Sequence, residues 1–549
     1  MAVALICFQA HGEASMSQVD LQKYYLQCRE EKNRLWNNKQ YSEAVQLFEK
    51  LRTTPGIEKL EEDDHVNIIY NLACGYAQLG QKDKALYYLK TAVDTGLIST
   101  DILAKDSDLD PVREDAKFKE ILASEMAREK LWNGTTLSTP FKANISENEK
   151  IAGLSKFWAE VKYNFAYFDH VPEVDWDALY MQYLPKVRKT KSTIEYYRVL
   201  QELCARLRDG HTCVYLPQGY YNSPAVRTRL VENIVLITDV YDDSLAKDGI
   251  IPGLEITHID GIPVCRYADQ RVRPYQSAST VQGLDVATYT FQLLNGLKDR
   301  QVRVTLRDEK GHTFERNLPR NNVRKPLSTV EFKMLDGNIA YLALNQMEVD
   351  SVSVKFTELY PYIEKADALV IDVSRNPGGN SAAGWDVLGY LTDKPFRVHR
   401  VRTLKYEAYS HANGGIPTWV DLNPNGERMS KEGIRVFTKP VVVLTSSFTG
   451  SAAEDFCVAF AAMKRGKIIG EPTFGSTGQP LCFPLPGGGS ARVCTCRTTF
   501  PDGTEFMKTG IQPDIVVHST VSDIRAGRST VLQAALDYLR GQLRPSPAP

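Results

Sequence analysis

Lys439-Pro-Val-Val-Val-Leu-Thr-Ser-Ser-Phe-Thr-Gly-Ser451-Ala-Ala-Glu454 is followed by a helical run and then by Ile468-Ile-Gly-Glu-Pro-Thr-Phe-Gly-Ser476-Thr-Gly-Gln479. An apolar strand over residues 441–444 gives way to small hydroxylic residues and Gly450, and Ser451 stands where a helix must begin. A serine at a strand-to-helix turn is held at the end of a rigid element, and the free N–H groups of the helix start can stabilise a developing oxyanion. The same residue also reads as a plain N-cap, with Glu454 completing a capping box. The segment alone leaves both readings open.

Around this segment, residues from about 330 onward alternate strands with helices, which predicts an α/β core over 328–520. Residues 339–344 and 368–373 read as buried strands, and Arg375-Asn-Pro-Gly378-Gly379-Asn380 follows the second. Two glycines after a proline leave their N–H groups unshielded, which makes this turn an anion-nest candidate. Residues 404–435 read as an insertion near the site. Residues 521–549 comprise a last amphipathic helix over 530–543 and a Pro-rich tail.

Upstream, the periodicity changes twice. Residues 18–130 are helical in pattern, with Ala44 and Phe48 on one face and Ala85 and Leu89 on a later one. They resemble tetratricopeptide repeats, although the two alanines are about 41 residues apart instead of the ideal ~34. An ordinary helical bundle is the alternative. Residues 145–222 are a second helical stretch whose Phe157, Trp158, Val161 and Phe165 form a core stripe. Residues 226–320 turn β-rich and resemble a PDZ domain, with Asp260-Gly261 as a hairpin signal, while 271–295 departs from that pattern.

A serine hydroxyl needs a base to act as a nucleophile. His211, in Arg208-Asp-Gly-His-Thr212, is a candidate, because imidazole exchanges protons near neutrality, although a turn histidine on its own more often has a structural role. Gly378 or Gly379, with the N–H of Ala452, would form the oxyanion hole.

Asn-Pro-Gly-Gly, Gly-Ser-Ala-Ala-Glu, Gly-Glu-Pro-Thr-Phe-Gly and Thr509-Gly-Ile-Gln-Pro-Asp514 occur in that order. Together they are similar to the tail-specific, or C-terminal processing, serine peptidases, a family that includes the tricorn core. The resemblance spans roughly residues 150–520. It implies a crotonase-like (ClpP/crotonase) α/β core, a PDZ module and cleavage near a substrate's C-terminus. Ser451 would be the nucleophile, with Ala452 and Gly378 or Gly379 as oxyanion donors. The Ser/Lys branch keeps its lysine where this chain has Ser476. Lys464 and Lys467 are expected on the solvent face of the helix after Ser451. The departure favours His211 as base, as in tricorn-like members, which have a serine beside the histidine where this chain has Gly210. Ser476, Thr477, Glu505 and Asp209 are candidates to orient the ring, and Gln479 lies near the family's usual glutamine.

Composition limits the alternatives. With 549 residues, several domains are expected. A net charge of −1 gives no pull toward nucleic acid, and no apolar run is long enough to span a bilayer. Nine histidines without a His-Glu-x-x-His pattern, and ten scattered cysteines, predict no metal and no cofactor. Cys494 and Cys496 read as packing. Residues 1–17 read as a leader or remnant signal lacking its basic start, which tips localisation toward export over the cytoplasm. The expected partners are a peptide or unfolded-protein substrate and a protein held by the helical repeats. A catalytically inactive scaffold or ligand carrier on the same fold is the second functional reading.

Overall fold

A computed structural model describes residues 18–60, 62–321, 327–423, 426–428, 430 and 433–543. The expected leader (1–17) and the Pro-rich tail end lie outside them. The chain divides into two compact units, residues 1–135 and 136–549.

The first unit is all-helical. Its main helices are Gln18–Asn37, Tyr41–Arg52, Glu62–Gln78, Lys82–Asp94 and Ala116–Trp132. Ala44, Phe48, Ala85 and Leu89 are buried, each with at most 2% of its surface exposed. Small residues at Ala44 and Ala85 let neighbouring helices approach closely. Phe48 and Leu89, one turn on, fill the shared core.

The second unit is built on a six-stranded sheet. Its spatial order is Val330–Leu335, Ile339–Leu344, Ala368–Asp372, Val441–Thr445, Lys467–Gly470, Ile515–Val516. The first pair is antiparallel and the rest are parallel. All five residues of Val441–Thr445 are buried, as expected for a parallel strand covered on both faces. Leu369, Ile371, Val441 and Val443 point into the large core that contains helices Val349–Ile363, Ser381–Leu388 and Ala452–Met463. Val370, Val442 and Leu444 point the other way, onto helix Thr530–Leu543. The period-two alternation of strands thus selects two different helical layers.

Helices Glu147–Asn164, Trp176–Lys189 and Thr193–Ala205 complete the large core, and Phe157, Val161 and Phe165 are buried in it. The last helix leads into the short strand Cys213–Tyr215, which pairs antiparallel with Ser490–Cys494. This pairing fixes the segment carrying His211 to the C-terminal half of the unit.

The β-rich region forms an antiparallel sheet of Val226–Val231, Ile234–Val240, Glu255–Ile259, Val302–Arg307 and Thr313–Leu318. Asp260 and Gly261 make its two-residue turn with φ of 49° and 79°, the conformation that Asp-Gly favours. Residues 264–292, where the sequence left the β pattern, are largely helical, with π-type turns over Ala268–Val272 and Val286–Gln292. Among the described residues no helix is long and apolar enough to cross a membrane.

Lys464 and Lys467 do not share the helix after Ser451. That helix ends at Met463, Lys464 takes a left-handed turn with φ 52°, and Lys467 opens the next strand. Gly466 then lies against the neighbouring strand, where a Cβ would be 2.0 Å from the Val441 carbonyl oxygen. Both lysines are exposed, and Lys467 pairs with Asp514 at 2.9 Å.

Candidate active site

Ser451 sits between strand Val441–Thr445 and helix Ala452–Met463 with φ 53° and ψ −127°. Non-glycine residues rarely hold such a backbone, and it persists only when the surroundings over-determine it. Two acceptors do so here. The Ser451 N–H donates to the Ser476 carbonyl at 2.9 Å and to the Glu454 carboxylate at 3.1 Å.

His211, distant in sequence, reaches this turn. Its Nε2 is 3.2 Å from Ser451 Oγ, and its Nδ1 is hydrogen-bonded to the Ser476 hydroxyl. His211 and Ser476 are buried. Burial, reinforced by the Arg492 guanidinium, pushes the imidazole pKa down to about 3. The ring is therefore neutral at physiological pH, the form that can accept a proton. The other candidates to orient it are engaged elsewhere. Glu505 bonds His170 at 3.2 Å, Thr477 donates to Asp455 at 3.0 Å, and the Asp209 carboxylate accepts from Ser279 at 3.4 Å. Gln479 is exposed.

The glycine turn packs directly on Ser451. Gly378 has φ 111°, and a Cβ there would lie 2.5 Å from the Ser451 Cβ and 3.0 Å from the Ala452 nitrogen. Only glycine permits this approach. The Gly378 N–H is not available to a ligand, because it donates to the Asn376 side chain at 2.8 Å. Among the described residues, the N–H groups of Gly379 and Ala452 have no acceptor, and Gly379 is exposed.

Two supports were not foreseen in the sequence. Glu454, fully buried, accepts from Thr473 Oγ1 (2.5 Å), Gly475 N–H (2.7 Å) and Ser476 N–H (2.9 Å) as well as from Ser451. Burial pushes its carboxyl pKa up to about 7 against these donors. Its capping-box spacing was the only local signal. The second support is the stretch 277–282 of the β-rich region, which grips both loops that meet at His211. Ser277 accepts from the Asp209 N–H (3.0 Å) and Ser279 from the Gly210 N–H (3.2 Å). On the other side, Thr280 donates to the Phe474 carbonyl (2.7 Å) and Gln282 to that of Thr473 (2.9 Å).

Ser451 and His211 open onto a cleft of about 1120 Å³ lined by Tyr215, Tyr221, Tyr275, Phe291, Phe448 and Phe474 among others. Its size and apolar walls suit an extended peptide. Among the described residues one group of potential metal ligands converges, Cys74, Asp106 and Asp108 in the helical unit. Tyr70 and Trp36 already donate to its carboxylates, at 2.7 and 3.2 Å.

Residues 338–517 match Peptidase family S41, and residues 149–205 match the tricorn protease C1 domain. The chain is a serine peptidase whose residues 338–517 are similar to family S41. It is similar to the carboxyl-terminal-processing protease of Synechocystis sp., at 23% identity over 74% of this chain and 90% of that protein. It also resembles the carboxy-terminal processing protease CtpA of Bacillus subtilis, at 23% identity over 51% of this chain and 53% of that one. The crystal structure of mature CPAF superposes with a TM-score of 0.59 at 16% identity, over 72% of this chain and 96% of that chain. At that identity the likeness is one of fold. The S41 match contains Ser451, the 375–380 turn and the 470–479 loop, whereas His211 lies outside both matched segments.

Proposed function

We propose that this serine peptidase cleaves extended peptides or unfolded chains near their C-termini by acyl transfer, with Ser451 as nucleophile, His211 as general base and Ser476 orienting the imidazole. The supporting observation is the single imidazole bridging Ser451 Oγ and Ser476 Oγ. In this reading Nδ1–H donates to Ser476, which leaves the Nε2 lone pair facing Ser451. Ser451 Oγ attacks the scissile carbonyl as Nε2 takes its proton. The N–H groups of Ala452 and Gly379 receive the oxyanion. His211 then protonates the leaving amine, and water releases the acyl group. The residue at the family's lysine position is itself bonded to His211, which supports the catalytic reading over a non-catalytic scaffold.

The finer architecture belongs to the same proposal. Residues 328–520 form a crotonase-like core, and residues 226–320 a PDZ-like module that admits an extended chain. The helix pairs of residues 18–130 are tetratricopeptide-like and hold a protein partner. Peptidase assays and fluorophosphonate labelling of the full chain test the catalytic reading. Ser451→Ala is expected to abolish both, and His211→Ala to reduce both by about a thousandfold or more. Full activity in both variants refutes the assignment, and full activity in His211→Ala alone moves the base elsewhere.

A further inference from the structure

The cleft beside Ser451 carries one permanent charge. Among the described residues lining it, Arg492 is the only lysine, arginine, aspartate or glutamate. Arg492 comes from strand Ser490–Cys494, whose pairing with Cys213–Tyr215 brings it beside the base. One of its terminal nitrogens donates to the Gly210 carbonyl at 3.1 Å and lies 4.0 Å from the Cys213 sulfur. Its Nε is buried without a hydrogen-bond partner. Among the described residues, no carboxylate forms an ion pair with it. Asp209 acts on it only from beyond contact, and one oxygen of that buried carboxylate is likewise unpartnered.

Arg492 is half-buried at the cleft wall with no anion beside it, and a guanidinium's planar donors match a carboxylate. We propose that Arg492 is the receptor for a substrate carboxylate, so that the cleft selects peptides presenting one beside the scissile bond. This inference rests on the peptidase reading and names its substrate class. The chemistry is shared by a C-terminal α-carboxylate and by an acidic side chain. The arginine's position adds a consequence. It contacts the carbonyl of the residue preceding His211 and helps to suppress the basicity of that ring. A carboxylate bound to Arg492 offsets that charge and strengthens the base when the correct substrate is in place.

The test measures binding without turnover. Full-length Ser451→Ala protein is titrated into N-terminally fluorescein-labelled apolar octapeptides and followed by anisotropy. One peptide ends in a free acid, one in an amide, and two further amides carry a single internal glutamate or glutamine. The expected result is about 10- to 100-fold tighter binding of a carboxylate-bearing peptide than of its neutral twin. The preference should vanish in Ser451→Ala/Arg492→Gln and partly survive in Ser451→Ala/Arg492→Lys. Acid over amide identifies the chain terminus, and glutamate over glutamine identifies a side chain. Equal affinities across both pairs in the protein that retains Arg492, or no binding of any peptide, overturn the proposal, whether or not the substituted proteins fold. Failure of the peptidase reading is scored separately, by the activities of the Ser451 and His211 variants.

Discussion

Replacing Ser476 with alanine separates the orientation of the base from the base itself. Its hydroxyl meets His211 Nδ1 where both residues are buried, and Nε2 faces Ser451 Oγ at 3.2 Å. Without the hydroxyl, Nδ1–H is left as a buried donor, or the proton moves to Nε2 and the ring presents an N–H to the nucleophile. The first outcome costs about 1–3 kcal/mol, the usual penalty for an orphaned buried donor. The second populates an inactive tautomer by the same margin. At about 1.4 kcal/mol per tenfold change, Ser476→Ala should lower kcat/KM roughly 5- to 150-fold. KM should move little, because the hydroxyl is turned toward the ring. The assay is steady-state hydrolysis of a fluorogenic peptide alongside the second-order rate of fluorophosphonate labelling, and both should fall together. Ser476→Thr keeps a hydroxyl and should recover part of the loss. Wild-type rates in Ser476→Ala, with circular dichroism unchanged, would mean that the hydrogen bond has no part in orienting the base.

Further expectations concern pH and packing. The folded His211 pKa near 3 lies below its ordinary 6.5, so the unfolded chain binds more protons between those values. Its contribution to stability is complete above about pH 6.5 and is lost as pH falls toward 3. Glu454, raised from 4.5 to about 7, acts in the opposite sense: its contribution is present below pH 4.5 and lost as pH rises through 7. In the folded enzyme the pH profile of kcat/KM should show an inflection near pH 7 that disappears in Glu454→Gln and a separate acidic limb near pH 3. A single limb at 6.5, unchanged by that substitution, contradicts both assignments. Gly378→Ala places a Cβ 2.5 Å from that of Ser451 and should lower kcat by about 100-fold or more, read by labelling rate; normal labelling speaks against a fixed turn at the nucleophile. Gly153→Ala puts a Cβ 2.1 Å from the buried Tyr196 hydroxyl and should cost about 1–3 kcal/mol in urea unfolding, with activity per folded molecule unchanged.

What was legible in the sequence was local. The apolar run ending in small residues marked Ser451, and the amphipathic pattern over 530–543 matches the last helix. Asn376-Pro-Gly-Gly was legible as a glycine turn. Yet the choice between its two N–H groups required the Asn376 side chain, which captures the N–H two residues on in an Asx turn. The lysines after Ser451 were misplaced because the local pattern continues a helix, whereas the chain leaves it at Met463 through Lys464 in a left-handed turn and Lys467 opens a strand. The meeting of His211 with Ser451 had no local signal, since the two lie 240 positions apart. Their meeting depends on the Cys213–Tyr215 pairing and on Ser277 and Ser279, which hold the backbone just before the histidine.

The loss of lysine at position 476 leaves no gap, and the reason is structural. The backbone there is tied on both sides of the peptide: its N–H donates to Glu454, and its carbonyl accepts from the Ser451 N–H. Glu454 binds the Ser451 N–H as well, so one buried carboxylate fixes the strained Ser451 and the loop that presents the Ser476 hydroxyl. A side chain at 476 therefore reaches the site along a path set by the backbone, whatever its chemistry. A lysine on that path would deliver its own base, whereas a serine hydroxyl is not basic and, in the proposed mechanism, orients the imidazole of His211 instead. The Ser476 hydroxyl also carries no charge, so it offers the imidazolium less stabilisation than the carboxylate of an ordinary triad. That deficit is where a substrate carboxylate on Arg492 would act, by offsetting the cation that opposes protonation of His211 only when substrate is bound.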